Sequence, residues 1–181
     1  MFPLPPVDPT PLGGITIWPS RAGQVWVGGL YYGLRQIENG QITRPVAGAG
    51  LRFIRVFFED SQNRLWIGGL GALHCYVSGK LKHFGVADGF PASVAIGAIA
   101  EDASGAIWIG TGTGDLWRYQ NNQFTCFHTP AEWSSCRFAA LQADANGVVW
   151  AGTLGNGLLR FQNGQFTSFR TQEGLPDDNI T

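Results

Sequence analysis

The chain has 181 residues, 12 of them Lys or Arg and 13 Asp or Glu, for a net charge of −1, which offers no electrostatic footprint for nucleic acid or an anionic membrane. Charged residues make up 14% of the chain, well under the roughly 25% of an average soluble domain. The 26 glycines point to a β protein rich in tight turns, where a residue without Cβ takes positive φ.

In chain order, MFPLPPVDPTPLGG at residues 1–14 has neither the basic start nor the apolar stretch of a signal peptide. Strand-like phrases then follow: GQVWVGG at 23–29, YGLRQI at 32–37 and NGQIT at 39–43. NRLWIGG at 63–69, GALHCY at 71–76 and SGKLKHF at 78–84 repeat the series. A third series opens on a small, apolar strand at 94–100 and the turn Asp102-Ala103-Ser104-Gly105. It continues with GAIWIGT at 105–111, GDLWRY at 114–119 and NNQFTCF at 121–127. The fourth has GVVWAGT at 147–153, NGLLRF at 156–161 and NGQFTSF at 163–169. No apolar run approaches the ~20 residues that span a bilayer.

Trp26, Trp66, Trp108 and Trp150 are thus separated by 40, 42 and 42 residues. Six positions before the last three stand Asp60, Asp102 and Asp144, with Ser20 in the first copy. A period near 42 with about four strands per unit is the mark of a β-propeller. The expected fold is all-β: four repeats, each a four-stranded antiparallel blade, at approximately 12–46, 51–86, 92–129 and 135–171, with 172–181 leading into a further blade. The tryptophans are expected between neighbouring sheets. The aspartates are expected to accept backbone N–H bonds in turns, a structural duty that recurs in every unit as catalysis would not.

The glycine-rich run Gly110-Thr111-Gly112-Thr113-Gly114 follows a strand, as phosphate-binding loops do. Its spacing is not G-x-G-x-x-G, another strand follows instead of a helix, and no phosphate-loop lysine is present. The reading here is a hairpin turn, repeated at Gly28-Gly29, at Gly68-Gly69 and at Gly152 with Gly155. Three cysteines, Cys75, Cys126 and Cys136, cannot all pair within the chain; free, mostly buried thiols are expected, a Cys126–Cys136 bridge being the alternative. His74, His83 and His128 have no paired ligand spacing, so neither a metal nor another cofactor is expected. Asp144-Ala145-Asn146-Gly147 echoes a calcium loop but lacks its distal glutamate.

The phrases from Gly89-Phe90-Pro91 through Phe127, and again from Asp144 to Phe169, resemble the two-component regulator propeller repeat. The resemblance implies a sensor region of a bacterial hybrid two-component system, outside the cytoplasm or in the periplasm, usually built as a seven-bladed ring of which four repeats would be a part. It implies a non-catalytic, ligand-binding function, with small molecules or oligosaccharides as ligands. A protein-interaction scaffold and a fragment of an enzymatic propeller, a lyase or quinoprotein-like enzyme, are the alternatives.

Binding residues are best sought where the repeat is broken, on the face where inner strands begin, in the links between blades and the turns between second and third strands. Those candidates are Tyr31, Tyr32, Arg52, Arg55, Glu132, Trp133 and Arg137. Aromatic faces stack on sugar rings, and guanidinium forks suit carboxylate or sulfate. No contact with nucleic acid or membrane is expected of this segment. Unpaired blade faces are expected to drive self-association.

Overall fold

The computed structural model describes residues 15–29, 33–45, 51, 53–133 and 136–181. Strands β1 (Ile15–Pro19), β2 (Val25–Gly29), β3 (Arg35–Glu38) and β4 (Gln41–Thr43) form a first antiparallel sheet. The second holds β5 (Ile54–Glu59), β6 (Leu65–Gly69), β7 (Leu73–Val77) and β8 (Lys80–Phe84). β9 (Ile96–Glu101), β10 (Ile107–Thr111), β11 (Asp115–Gln120) and β12 (Gln123–His128) make the third. The fourth comprises β13 (Phe138–Ala143), β14 (Val149–Thr153), β15 (Leu158–Gln162) and β16 (Gln165–Phe169). Each is an up-and-down meander, and the first strands of successive sheets touch in the order β1, β5, β9, β13. This is the blade arrangement of a propeller.

Turn chemistry explains the hairpins. Third and fourth strands join through two residues of positive φ: Asn39 and Gly40 (49° and 74°), Ser78 and Gly79 (48° and 79°), Asn121 and Asn122 (51° and 62°), Asn163 and Gly164 (52° and 79°). That backbone matches the right-handed strand twist and favours Asn and Gly.

The repeated aspartate does more than make a turn. Asp60 Oδ1 accepts the amides of Gln62 (3.0 Å) and Arg64 (2.9 Å), while Oδ2 accepts Trp66 Nε1 (2.7 Å) and Arg64 Nε (2.6 Å). Asp102 likewise accepts the amides of Ser104 and Ala106 and, at 2.8 Å, Trp108 Nε1. Burial alone would raise the Asp102 pKa; the hydrogen bonds from Ser104, Trp108 and Ala106 outweigh it and hold the carboxyl below its ordinary value. The turn therefore anchors the indole six residues on, satisfying a donor that is buried between sheets.

The first three tryptophans then meet the third strand of the following sheet. Trp26 packs edge-on against Tyr76 (5.1 Å between centroids), Trp66 against Tyr119 (5.3 Å) and Trp108 at a tilt against Phe161 (5.5 Å). These three indoles are 4%, 0% and 5% exposed. Trp150 is only half-buried and packs on Phe169 of its own sheet. The cores are accordingly three seams: one around Trp26, Leu34 and Phe57, one around Trp66, Phe84 and Ile99, one around Trp108, Phe138 and Leu159.

The glycine two residues after each tryptophan corrects the sequence reading. Gly28, Gly68, Gly110 and Gly152 lie inside second strands, not in turns. A Cβ there would fall 2.6 Å from Ile54 Cγ2, 2.6 Å from Ile96 Cγ2, 2.6 Å from Phe138 Cβ and 2.9 Å from Ile180 Cγ2, respectively. Each glycine is a socket for the first large residue of the next inner strand. Ile180 fills the fourth socket, and its amide donates to the Thr153 carbonyl at 2.9 Å.

Two seams carry an additional clasp. Glu59 accepts from Ser20 Oγ (3.1 Å) and the Arg21 amide (2.9 Å), and Glu101 from the Ser61 amide (2.7 Å) and Oγ (2.6 Å). The corresponding residue of β13 is Ala143, so the third seam lacks this clasp. On the first sheet, Ile15, Ile17 and Ile42 are 64–66% exposed, on the face turned away from the second sheet.

Candidate functional site

The inner strands begin with an irregularity that recurs in register. Pairing slips between Ile54 and Val56, between Gly110 and Thr111 opposite β9, and between Phe138 and Ala140. The extra residues are Arg55, Gly97 and Ala139, one bulge in each of the last three blades, while β1 pairs β2 without a shift. A bulge re-aims the residue it carries. All three line one cleft with Ala95, Ile96, Gly112, Arg137, Phe138 and Leu154.

The middle bulge residue has to be glycine. A Cβ on Gly97 would fall 1.8 Å from the Phe138 carbonyl oxygen, so β9 and β13 approach more closely than any other residue would allow. Gly97 thereby lets the inner strands of the third and fourth blades close on each other beside the cleft. Arg55, on the second blade, and Arg137, at the entry to the fourth, are both exposed and both line it. The cleft measures about 190 Å³, less than the ~300 Å³ of a pocket for a drug-sized ligand.

Of the residues expected to bind ligand, these two arginines come together. Tyr31, Tyr32 and Arg52 lie outside the described residues. Glu132 belongs to the 3₁₀ turn Ala131–Trp133. Trp133 is not a stacking platform: it is 9% exposed and packs into the core with Trp108, Cys136 and Phe138. The turn folds this indole back between the third and fourth blades, a reversal hidden in a loop sequence.

The thiols are free, and Cys75 and Cys136 are buried, as expected. Burial pushes the Cys75 thiol up to about 11, and burial followed by the Asp115 charge does the same to Cys126. The histidines, by contrast, are not isolated. His83 Nδ1 lies 3.3 Å from His74 Nε2 across β7 and β8, and burial first, then the His83 charge, lowers the His74 pKa to about 4. His128 Nδ1 lies 2.7 Å from Asp115 Oδ1 and 3.7 Å from Cys126 Sγ. Ligand spacing along the chain missed both groups because the pairing runs across strands. The readable signal was alternation along β12: Cys126 and His128 stand two apart with Phe127 between them and so share a face.

The four meandering sheets stacked on their inner strands define a β-propeller. The family model for the two component regulator propeller matches residues 50–71 and 89–113, the first halves of the second and third blades, so the chain carries this repeat. No curated protein matches the chain. Among solved structures it is similar to the extracellular domains of BT4673 and BT3049 of B. thetaiotaomicron, both described as hybrid two component systems. The first is 21% identical with a TM-score of 0.70, over 87% of this chain and 23% of that one. The second is 21% identical with a TM-score of 0.68, over 88% and 23%. A catalytically inactive virginiamycin B lyase of Staphylococcus aureus, with quinupristin, is 18% identical with a TM-score of 0.71, over 92% of this chain and 59% of that one. The chain therefore spans about a quarter of the length of the first two structures and under two thirds of the third.

Proposed function

We propose that the chain is a non-catalytic binding propeller of an extracytoplasmic sensor region, and that it holds an anionic solute in the cleft between Arg55 and Arg137. The observation that carries this is that two exposed arginines, Arg55 at the bulge of the second blade and Arg137 at the entry to the fourth, line one cleft with Gly97 between them in the chain. Paired guanidinium forks suit a carboxylate or sulfate bidentately, and the cleft's size suits one acidic sugar unit. The two component regulator propeller repeat supports a place in signal reception. Among the described residues no helix is long and apolar enough to cross a membrane.

An enzymatic reading draws on the likeness to the lyase, which rests on fold alone at that identity. His74, His83 and His128 all sit on third and fourth strands, not among the residues that line the cleft, and among the described residues that line it none is suited to general acid–base work at neutral pH. Calorimetric titration with a uronate-containing oligosaccharide tests the binding reading. Saturable binding should weaken at least about tenfold in R55A and in R137A, since a charge-assisted hydrogen bond contributes roughly 1.5–3 kcal/mol. Absence of heat with acidic sugars, or affinity unchanged in the double variant, would refute it.

A further inference from the structure

A second site, independent of the cleft, is built where β11 and β12 pair on the third blade. Asp115 and His128 are directly opposed in the ladder, and Cys126 lies two residues before His128 on the same face. One carboxylate oxygen of Asp115, Cys126 Sγ and one ring nitrogen of His128 all lie within 4.8 Å of one another. We propose that these three side chains bind a zinc-type divalent cation, with the fourth coordination position open to solvent.

The donor set selects the metal. One thiolate, one imidazole and one carboxylate match the ligands that zinc takes, whereas the hard cations calcium and magnesium require oxygen alone. The geometry fits without rebuilding the backbone. Zinc–sulfur and zinc–nitrogen bonds of about 2.3 and 2.05 Å at a tetrahedral angle place sulfur and nitrogen about 3.5 Å apart. Cys126 Sγ and His128 Nδ1 are 3.7 Å apart. Nitrogen and oxygen would stand about 3.3 Å apart around the ion, so the 2.7 Å hydrogen bond between His128 and Asp115 must open by roughly 0.6 Å. His128, whose side chain is 78% exposed, is free to make that turn.

A partner behind the ligands is also in place. Thr113 Oγ1 donates to Asp115 Oδ2 at 3.1 Å, and Thr111 Oγ1 accepts the Asp115 amide at 3.1 Å. Together they fix the carboxylate with its other oxygen, Oδ1, turned to Cys126 and His128. Such outer hydrogen bonds orient metal ligands. With three protein ligands and an exposed rim, the fourth position is accessible to water or a solute donor, the arrangement of labile zinc sites.

Cobalt(II) titration of the tag-free chain under reducing conditions tests this, because a cobalt–thiolate bond gives a charge-transfer band in the near ultraviolet. The band should appear with one equivalent of cobalt, vanish on adding zinc, and be absent in C126S. H128A and D115N, confirmed folded by circular dichroism, should each weaken cobalt binding by more than the roughly tenfold that loss of an outer partner costs. Absence of the band in the wild-type chain, its persistence in C126S, or unchanged affinity in H128A would overturn the site.

Discussion

Trp66 and Trp150 occupy the same place in the repeat but not the same environment, and replacing each by alanine separates packing between blades from packing within one. Trp66 is 0% exposed, stacks on Phe84 at 5.5 Å, meets Tyr119 of the next blade at 5.3 Å, and donates to the buried Asp60 carboxylate at 2.7 Å. An aromatic side chain buries about 150–250 Å², and at about 25 cal/mol per Å² that is roughly 4–6 kcal/mol as an upper bound. Measured Trp-to-Ala losses of about 3–5 kcal/mol in cores agree, and loss of a donor to a buried carboxylate places W66A at the upper end. Trp150, half-buried with no following aromatic, should cost at most about 2 kcal/mol. Urea unfolding followed by far-ultraviolet circular dichroism, which does not depend on indole fluorescence, measures both. Thermal midpoints should fall by roughly 8–20 °C for W66A and by a few degrees for W150A. Equal losses at the two positions would refute the argument that neighbouring blades supply the burial.

G97A should be among the most damaging single-methyl additions to this chain, because the colliding atom is the backbone oxygen of Phe138 at 1.8 Å and a backbone cannot step aside as a side chain can; a loss of about 3 kcal/mol or more is expected on the overpacking scale, and a G97A chain as stable as wild type in urea would show that the inner strands can part. The His74 pair predicts a pH dependence of known sign. His74 is lowered to about 4 from 6.5, so the unfolded chain takes up the proton first, and its contribution, complete above pH 6.5, is lost as pH falls from there through about 4. H74Q should flatten that part of the stability-versus-pH curve, and an unchanged slope in denaturant titrations at several pH values would contradict it.

The architecture was legible because the repeat is written in residues whose duties are local. Asn-Gly pairs specify turns, and the tryptophan step gives the spacing of the sheets. Other features depend on a neighbour that no local pattern displays. Gly110 reads as a turn glycine in sequence, since a turn and a close approach both demand a missing Cβ; only Phe138, 28 residues on, distinguishes them. The bond from Trp66 to Asp60 was latent in their constant six-residue offset. Arg55 and Arg137 were singled out from their places at the entry to inner strands, but the bulge at Arg55 leaves no mark in composition. Trp133 illustrates the opposite failure, a loop tryptophan whose apolar area was drawn inward. His128 joined Cys126 and Asp115 through strand register, which alternation along one strand only half reveals.

The socket glycines give the molecule a grammar of succession. Because Ile54, Ile96, Phe138 and Ile180 each complete the blade before their own, no blade finishes itself. Cohesion passes from one unit to the next across about forty residues of chain, so disruption at one joint weakens its two neighbours and spares the remainder. Such a molecule should come apart joint by joint, and the joint between the third and fourth blades, where Ala143 offers no carboxylate, relies instead on the close approach of β9 to β13 and on the buried Trp133.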